Sequence, residues 1–275
     1  MHRFFSAGAF AVAFAVTLFA SGIAAAQQPI KRVYRADSRP PAEIFLYGFS
    51  GRGNRMDVLA HTLGGACEET DPARASVWVS TSSEREEAVG FATGHLEGLD
   101  AEGPATAMYI YTIPADATYV SVPALMRQVA DAGRAGQSGY NIAHADVIDR
   151  LLVHTAIATE EEVITHHVNP YNILHAVPTY FVNGDLVQGT RIDNTGYFDD
   201  DTQANSHVSN LQSYVPAASI RTDLASDTSD DDACSMMCDG ATSASSRLAP
   251  RAAARGQCGV ERSITPLIRQ VILDS

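Results

Sequence analysis

The chain has 275 residues, of which 45% are hydrophobic and 19% are charged, a composition typical of a globular protein. Its formal net charge is −13, which argues against a nucleic-acid backbone or an anionic membrane surface as a partner of the whole chain. We therefore expect no nucleic-acid partner.

The N-terminus has the pattern of an export signal. A basic start is followed by an almost wholly apolar run at residues 4–23 and by alanines at residues 24–26. This order predicts a secretory signal peptide over residues 1–26. The run is also long enough to span a membrane, but the alanines and the polar residues 27–29 favour cleavage after Ala26.

The four cysteines all lie in the exported part of the chain: Cys67, Cys234, Cys238 and Cys258. In an oxidising compartment, an even number of cysteines favours two disulfides over a metal site. Four cysteines allow three pairings, and the residues alone do not choose among them.

The first predicted element is a short strand at residues 33–37 that ends before Pro40 and Pro41. A proline cannot donate to a sheet ladder, and it pushes the preceding residue out of the helical region. Arg35 therefore lies mid-strand on the same face as Val33. Its fork of donors could grip a planar anion such as a phosphate, although a lone arginine is more often part of a surface salt bridge.

Two short helices follow. Residues 42–47 are predicted to be helical or turn, and residues 57–63 show apolar residues at a helical spacing. That spacing counts Thr62 by its methyl group. His61 lies in the last turns of this second helix, which is predicted to end at two glycines.

The next elements are two strands with a helix between them. Residues 75–80 are β-branched and aromatic, which predicts a strand. Ser83 lies three residues before Glu86, which is the spacing of a capping box, so a helix is predicted over 84–93. Residues 107–113 form a second clear strand.

Helices and a hairpin complete the patterned part of the chain. Residues 120–132 and 146–156 have amphipathic, helical spacing. Strands are predicted at 171–182 and 186–192, because Asn183-Gly184 between apolar runs is a strong hairpin signal.

The composition changes after residue 214, where a short acidic run at 230–232 is followed by a segment rich in alanine, serine and arginine at 241–255. We therefore predict three parts: the signal peptide, a globular domain at residues 27–214, and a C-terminal extension at residues 215–275 that covers a site on this domain or docks a partner.

Several motifs resemble the pertussis toxin A-subunit family of mono-ADP-ribosyltransferases, which is related to the cholera toxin and heat-labile enterotoxin A chains. The resemblance covers roughly residues 32–210 and is specific because an arginine, a Ser-Thr-Ser motif and a glutamate occur in this order. Its main motifs are Val33-Tyr34-Arg35-x-Asp37-Ser38-Arg39-Pro40-Pro41, Val58-Leu59-x-His61 and Val79-Ser80-Thr81-Ser82-Ser83.

The resemblance implies the α+β fold of this family, a mixed α/β ADP-ribosyltransferase fold with two packed antiparallel sheets flanking an NAD cleft. It implies that NAD is a substrate and that no metal is required. Cleavage of the bond between nicotinamide and ribose passes through an oxocarbenium-like transition state, which a nearby carboxylate can stabilise.

The resemblance also implies roles for individual residues. Arg35 would anchor NAD. Ser80, Thr81 and Ser82 would shape the pocket, and their three hydroxyls could hydrogen-bond the catalytic carboxylate. His61 would lie near the ribose or the nucleophile, where a neutral imidazole could accept a proton.

The catalytic glutamate has two possible registers. The Glu-x-Glu-Val pattern of the cholera-type toxins makes Glu162 catalytic and Glu160 its partner, and Glu-x-Glu accompanies arginine acceptors in that wider family. A gapless count back from Asn172 onto the pertussis-type pattern, which goes with a cysteine acceptor, makes Glu161 catalytic instead, with Thr159 two residues before it. We prefer Glu162 with Glu160.

The resemblance further implies a Cys67–Cys234 disulfide, which leaves Cys238 and Cys258 to pair. Reduction of the first disulfide would free the tail and activate the enzyme in the host cytosol. The expected partners are a host acceptor protein, by analogy a G-protein α subunit, and a receptor-binding B oligomer. Two alternatives are an NAD glycohydrolase without a protein target and a secreted binding protein on the same fold.

Overall fold

The computed structural model describes residues 29–66, 70–154, 161–198, 202–205 and 207–221. The predicted signal peptide and all four cysteines lie outside these ranges, as does the extension beyond residue 221. Within the described ranges, no helix is both long enough and apolar enough to span a bilayer.

Strands make up most of the regular structure. In chain order they are β1 (Arg32–Asp37), β2 (Phe49–Ser50), β3 (Val79–Ser82), β4 (Met108–Pro114), β5 (Val120–Ser121), β6 (Glu162–Thr165), β7 (His167–Val168), β8 (His175–Val182), β9 (Asp185–Gln188) and β10 (Ile192–Asp193).

Helices flank these strands. They are α1 (Pro41–Tyr47), α2 (Val58–Thr62), α3 (Arg85–Gly98), α4 (Val122–Arg134), α5 (Ile142–His154) and α6 (Leu211–Tyr214), with 3₁₀ turns at Pro104–Thr106, Pro170–Asn172 and Ala217–Ser219.

The described strands form two antiparallel sheets of very unequal size. The large sheet has eight strands in the order β10-β8-β4-β1-β3-β6-β5, with β9 paired to β8, and the small sheet is the β2-β7 pair. All of these strand pairs are antiparallel. The predicted mixed α/β fold with antiparallel sheets is therefore present, although the second sheet is only a two-stranded ribbon.

The large sheet is weakly joined between β1 and β3. Strand β1 pairs with β4 along its whole length, from Arg32 opposite Pro114 to Asp37 opposite Tyr109. Its only registered pair with β3 is Tyr34 opposite Ser82. The sheet thus divides at this junction into a β8-β4-β1 part and a β3-β6-β5 part, and the predicted site residues come from both sides of it.

Three hydrophobic clusters hold the layers together. The largest packs α2, α4 and α5 against β5 and β6, and it includes Leu59, Met126 and Ile164. A second fills the space between α1, the β2-β7 pair and β1-β4. A third packs α3 on the opposite face of β1 and β4.

Most predicted elements are present, with shifted ends. Strand β3 begins at Val79 rather than at residue 75, because the backbone N–H groups of Ser76 and Val77 donate to the carbonyls of Ala66 and Arg55 instead of to a neighbouring strand. Helix α5 begins at Ile142, before the predicted residue 146.

The hairpin prediction is confirmed. Strands β8 and β9 pair from Val182 opposite Asp185 to Thr179 opposite Gln188. Asn183 and Gly184 both have positive φ, at 54° and 83°, as a two-residue turn of the I′ type requires.

The capping-box prediction was wrong. Helix α3 begins at Arg85 with Glu84 at its N-cap position and no side-chain cap. The Ser83 hydroxyl instead donates to the carbonyl of Glu161 at 3.4 Å, and the Ser83 N–H donates to the same oxygen at 3.1 Å. Ser83 therefore bonds to the residue before β6 instead of capping α3. This contact holds Ser83 next to Glu162, the candidate catalytic carboxylate.

Candidate active site

A row of side chains crosses the sheet at the β1–β3 junction. Tyr34 lies opposite Ser82, and Ser82 lies opposite Glu162. Directly opposed residues of antiparallel strands point to the same face. One face of the junction therefore carries a phenol, a hydroxyl and a carboxylate in line.

Glu162 is the first residue of β6, and its side chain is only 1% exposed. Its Oε2 accepts a hydrogen bond from the Thr62 hydroxyl at 3.2 Å, and its Oε1 lies 3.2 Å from His61 Nε2. Both partners come from α2, whose first turn is capped by the Asp57 side chain accepting from the Ala60 N–H. The short helix thus delivers two neighbouring side chains to one carboxylate.

His61 is fully buried at the centre of this site. Its Nε2 lies 2.8 Å from Ser80 Oγ as well as 3.2 Å from Glu162, and its Nδ1 lies 2.7 Å from Ser76 Oγ. Ser76 Oγ also accepts from the Trp78 N–H at 3.0 Å. The ring is therefore held at both nitrogens.

The three hydroxyls of the Ser-Thr-Ser motif have different surroundings. Ser80 reaches His61, and Ser82 Oγ accepts from the backbone N–H of Glu84. Thr81 lies on the opposite face of β3 and donates to the carbonyl of Val163. The expectation that all three hydroxyls can bond the carboxylate is wrong for Thr81, because side chains alternate along a strand.

A cluster of two arginines and an aspartate lies beside the junction. Arg35 Nη1 donates to the Ser80 carbonyl at 2.6 Å, so its side chain bridges β1 and β3 where their ladder is minimal. Arg35 Nη2 donates to Asp37 at 3.3 Å, and Arg39 donates to both Asp37 oxygens at 2.8 and 2.7 Å. Both guanidinium groups lie over the Phe49 ring, at 5.2 and 5.3 Å from its centre.

The two arginines differ in exposure. The Arg35 side chain is 1% exposed and that of Arg39 is 25% exposed. Burial alone would raise the pKa of Asp37, but the hydrogen bonds from Arg39 and the charges of Arg35 and Arg39 outweigh it and hold that pKa below its ordinary value. The cluster is thus an ionised aspartate with two cations, one of which faces solvent.

Glu161 precedes Glu162 in the glutamate triplet 160–162 and does not share its position. Glu161 is half-buried, adopts a positive φ of 45° and uses its carbonyl to accept from Ser83. Glu160 lies outside the described residues. Of the two glutamates of the triplet 160–162 that the structure describes, Glu162 is the one whose carboxylate contacts His61 and Thr62.

One cavity near β6 lies away from this carboxylate. A space of about 520 Å³, of the size typical for small-molecule pockets, opens near the other end of β6, between Trp78, Asp116, Thr165, His166 and Tyr214. Glu162 and Arg35 are each only 1% exposed.

The side chains of His166 and His167 are both exposed. The His166 ring packs on Trp78 with ring centres 4.2 Å apart. Within the described ranges, no group of histidine, cysteine, aspartate and glutamate side chains could hold a metal ion.

Three residues at this site were not singled out from the sequence as site residues. Thr62 was counted only as a methyl group on an apolar helix face, but its hydroxyl contacts the carboxylate. Ser76 was read as an ordinary strand residue, and Arg39 only as part of a motif. Their contacts arise between distant segments, so local patterns carry no signal for Ser76, whereas two arginines flanking Asp37 could have suggested an ion cluster.

Comparison with known families decides the assignment. The family model "Pertussis toxin, subunit 1" matches residues 28–249, which is more than half of the chain. The chain belongs to the pertussis toxin subunit 1 family. The resemblance inferred from the motifs is thereby confirmed.

Individual relatives agree with this family. The pertussis toxin subunit 1 homolog of Bordetella parapertussis is 29% identical over 211 residues, which is 70% of this chain and 70% of that protein. The ADP-ribosylating toxin CARDS of Mycoplasma pneumoniae is 28% identical over 212 residues, 70% of this chain but 34% of that protein.

A solved structure shares the fold. Full-length CARDS toxin matches with a TM-score of 0.50 and 26% identity, over 65% of this chain and 31% of the toxin. This chain and the CARDS toxin therefore share a mixed α/β architecture with antiparallel sheets.

Proposed function

We propose that the chain is the A chain of a secreted toxin that cleaves NAD and transfers ADP-ribose to a side chain of a host protein. One observation carries this proposal: a buried glutamate, Glu162, lies in register with Ser82 and Tyr34 and is held by Thr62 and His61. Membership of the pertussis toxin subunit 1 family and similarity to a protein named as an ADP-ribosylating toxin support it.

The carboxylate would stabilise positive charge. Cleavage of the nicotinamide–ribose bond builds charge on the ribose, and a fixed carboxylate in a water-poor site interacts with that charge more strongly than one in water. Glu162 is already held at both oxygens, so little reorganisation is needed when the charge develops. The same carboxylate could then take the proton of the acceptor.

The arginine cluster would hold the negatively charged part of the substrate. Arg39 presents a partly exposed guanidinium, whose donor geometry suits a pyrophosphate. Arg35 is buried and braces Ser80, so we assign it to anchoring this wall of the site as well as to attracting NAD. Asp37 keeps both cations in place.

Among the glutamates, we assign the stabilising role to Glu162. The Glu161 carbonyl is tied to Ser83, and its positive φ turns the chain into β6. With Glu162 in place, Glu160 occupies the first position of a Glu-x-Glu pattern, and we propose an arginine side chain as acceptor. His61, Ser80, Thr81 and Ser82 would complete the pocket.

The proposed route to the host rests on the signal-like N-terminus and on the family resemblance. The signal peptide would export the chain, a Cys67–Cys234 disulfide would tether the tail, and reduction in the host cytosol would release it. A B oligomer would deliver the chain, and a host protein such as a G-protein α subunit would be the acceptor. NAD hydrolysis would be a side activity.

The experiment uses the mature protein, residues 27–275, with and without a reductant. Nicotinamide release from NAD measures cleavage, and label transferred from NAD to a protein of a host lysate measures transfer. We expect both activities after reduction. Cleavage without a labelled band would reduce the proposal to an NAD glycohydrolase, and absence of cleavage would reject it.

A further inference from the structure

Ser76 has a defined hydrogen-bonding role beside His61. Its side chain is buried, and its Oγ accepts a hydrogen bond from the Trp78 backbone N–H at 3.0 Å. A serine hydroxyl carries one proton and two lone pairs. Because Trp78 uses a lone pair, the hydroxyl proton remains available for His61 Nδ1, which lies 2.7 Å away.

The other ring nitrogen faces the Ser80 hydroxyl at 2.8 Å, which can donate or accept, and the Glu162 carboxylate. His61 Nε2 lies 3.2 Å from Glu162 Oε1, and an ionised carboxylate only accepts. This contact is a hydrogen bond only if Nε2 carries a proton. The neutral tautomer that satisfies both contacts has Nδ1 bare, accepting from Ser76, and Nε2–H donating toward Glu162.

The opposite tautomer is disfavoured at Nε2, where the ring faces the carboxylate. A proton on Nδ1 would leave a bare Nε2 facing the carboxylate, which places two sets of lone pairs 3.2 Å apart in a buried site. A fully protonated ring would keep the proton on Nε2, with Ser76 accepting through its second lone pair. In either compatible state, Nε2 is a donor.

We propose that Ser76 is a positioning residue that holds His61 with a proton on Nε2, so that the histidine orients and stabilises the Glu162 carboxylate. His61 then does not act as the base that removes a proton from the incoming nucleophile, which differs from the role expected from the sequence. The hydrogen-bond assignment stands on geometry alone, and only its catalytic consequence rests on the proposed function.

The first test is spectroscopic and needs no activity. In the full mature protein with ¹⁵N-labelled histidine, ring nitrogen shifts and one-bond N–H couplings identify the proton on each nitrogen of His61, assigned by comparison with the His61→Gln variant. We expect a protonated Nε2 and, in the neutral ring, a bare Nδ1. A bare Nε2 would overturn the proposal, whether or not the protein cleaves NAD.

The second test measures kinetics of NAD cleavage. Ser76→Ala is expected to lower kcat by about tenfold, the loss of one buried hydrogen bond of roughly 1.4 kcal/mol, with KM for NAD changed less than about twofold. Ser76→Thr retains a hydroxyl and should restore most of kcat. Its spectrum should again show Nε2–H.

Ser121→Ala provides a matched control. Ser121 is also buried and accepts from a backbone N–H, that of Ala124, but caps α4 and has no contact with His61. We expect it to lower stability while leaving kcat and the His61 spectrum unchanged. An unchanged kcat in Ser76→Ala would reject the positioning role. If Ser76→Ala does not fold, the wild-type spectrum decides.

Discussion

Replacing Glu162 by glutamine removes the charge of the central carboxylate and leaves its shape. The amide oxygen can still accept from His61 Nε2, and the NH₂ group can donate to the Thr62 hydroxyl, which also accepts. Exchanging two hydrogen bonds to a charged group for two neutral ones should lower the free energy of unfolding by about 1–3 kcal/mol. The folded population should therefore remain high.

The effect on catalysis should be larger than the effect on stability. Removing one preorganised electrostatic stabiliser typically lowers kcat by about 100- to 1,000-fold, or roughly 2.7–4 kcal/mol. Glu162→Gln should lose NAD cleavage by this amount while KM for NAD changes little, since the charge acts on the transition state. The assay is nicotinamide release at saturating NAD, with the folded fraction measured on the same sample.

Glu161→Gln is the matched control, because it makes the same chemical change one residue away. Glu161 is half-buried, and its carbonyl, which Gln retains, makes the contact with Ser83. We expect a change in kcat below about twofold, as for most substitutions outside the reacting groups. Loss of activity in Glu161→Gln with activity kept in Glu162→Gln would refute the assignment and restore the gapless register.

Three other predictions concern stability and environment. Asp37→Asn leaves two neighbouring cations without their anion and should lower the free energy of unfolding at pH 7 by about 3 kcal/mol. Because the pKa of Asp37 lies below its ordinary 3.8, the difference in stability between wild type and variant should persist above pH 3.8 and shrink as the pH falls below it. Urea unfolding at several pH values measures this difference. Gly184→Ala places a side chain at a φ of 83° and should cost about 1 kcal/mol, visible as a lower Tm, whereas an alanine at the exposed helical Gly90 should not lower it. Trp78 is the only tryptophan of the chain, and its ring contacts that of His166. Partial burial lowers the pKa of His166 below 6.5, so tryptophan fluorescence should be quenched as His166 gains a proton, with a midpoint below pH 6.5. The His166→Gln variant should not show this transition.

The elements that depend on local signals could be predicted. The β8–β9 hairpin follows from Asn183-Gly184, because both positions need a positive φ that these residues adopt readily. Strand β1 ends where the prolines follow, and Arg35 and Val33 lie on one face because the period of a strand is two.

Features that depend on tertiary contacts could not be predicted. Ser83 has the sequence of a cap, but its hydroxyl contacts Glu161 across the sheet. The choice between Glu161 and Glu162 could not be made from spacing, because one residue of register decides which carboxylate faces His61. The structure supplies that register through the pairing of Ser82 with Glu162.

The contact between Ser76 and His61 could not be predicted from the sequence either. The two residues are fifteen positions apart in sequence, and the contact forms only because α2 packs across the end of β3. No periodicity or motif in the chain carries that information. The family motifs identified His61, Ser80 and Glu162, and the structure adds their contacts with Ser76 and Thr62.

The most direct test of the central claim is transfer of label from NAD to a host protein by the reduced mature chain. The account predicts a labelled band with the wild-type chain and with Glu161→Gln, a band at least about 100-fold weaker with Glu162→Gln, and nicotinamide release that follows the same order. No nicotinamide release from the folded, reduced wild-type chain, or equal labelling by the Glu162→Gln variant, would contradict it.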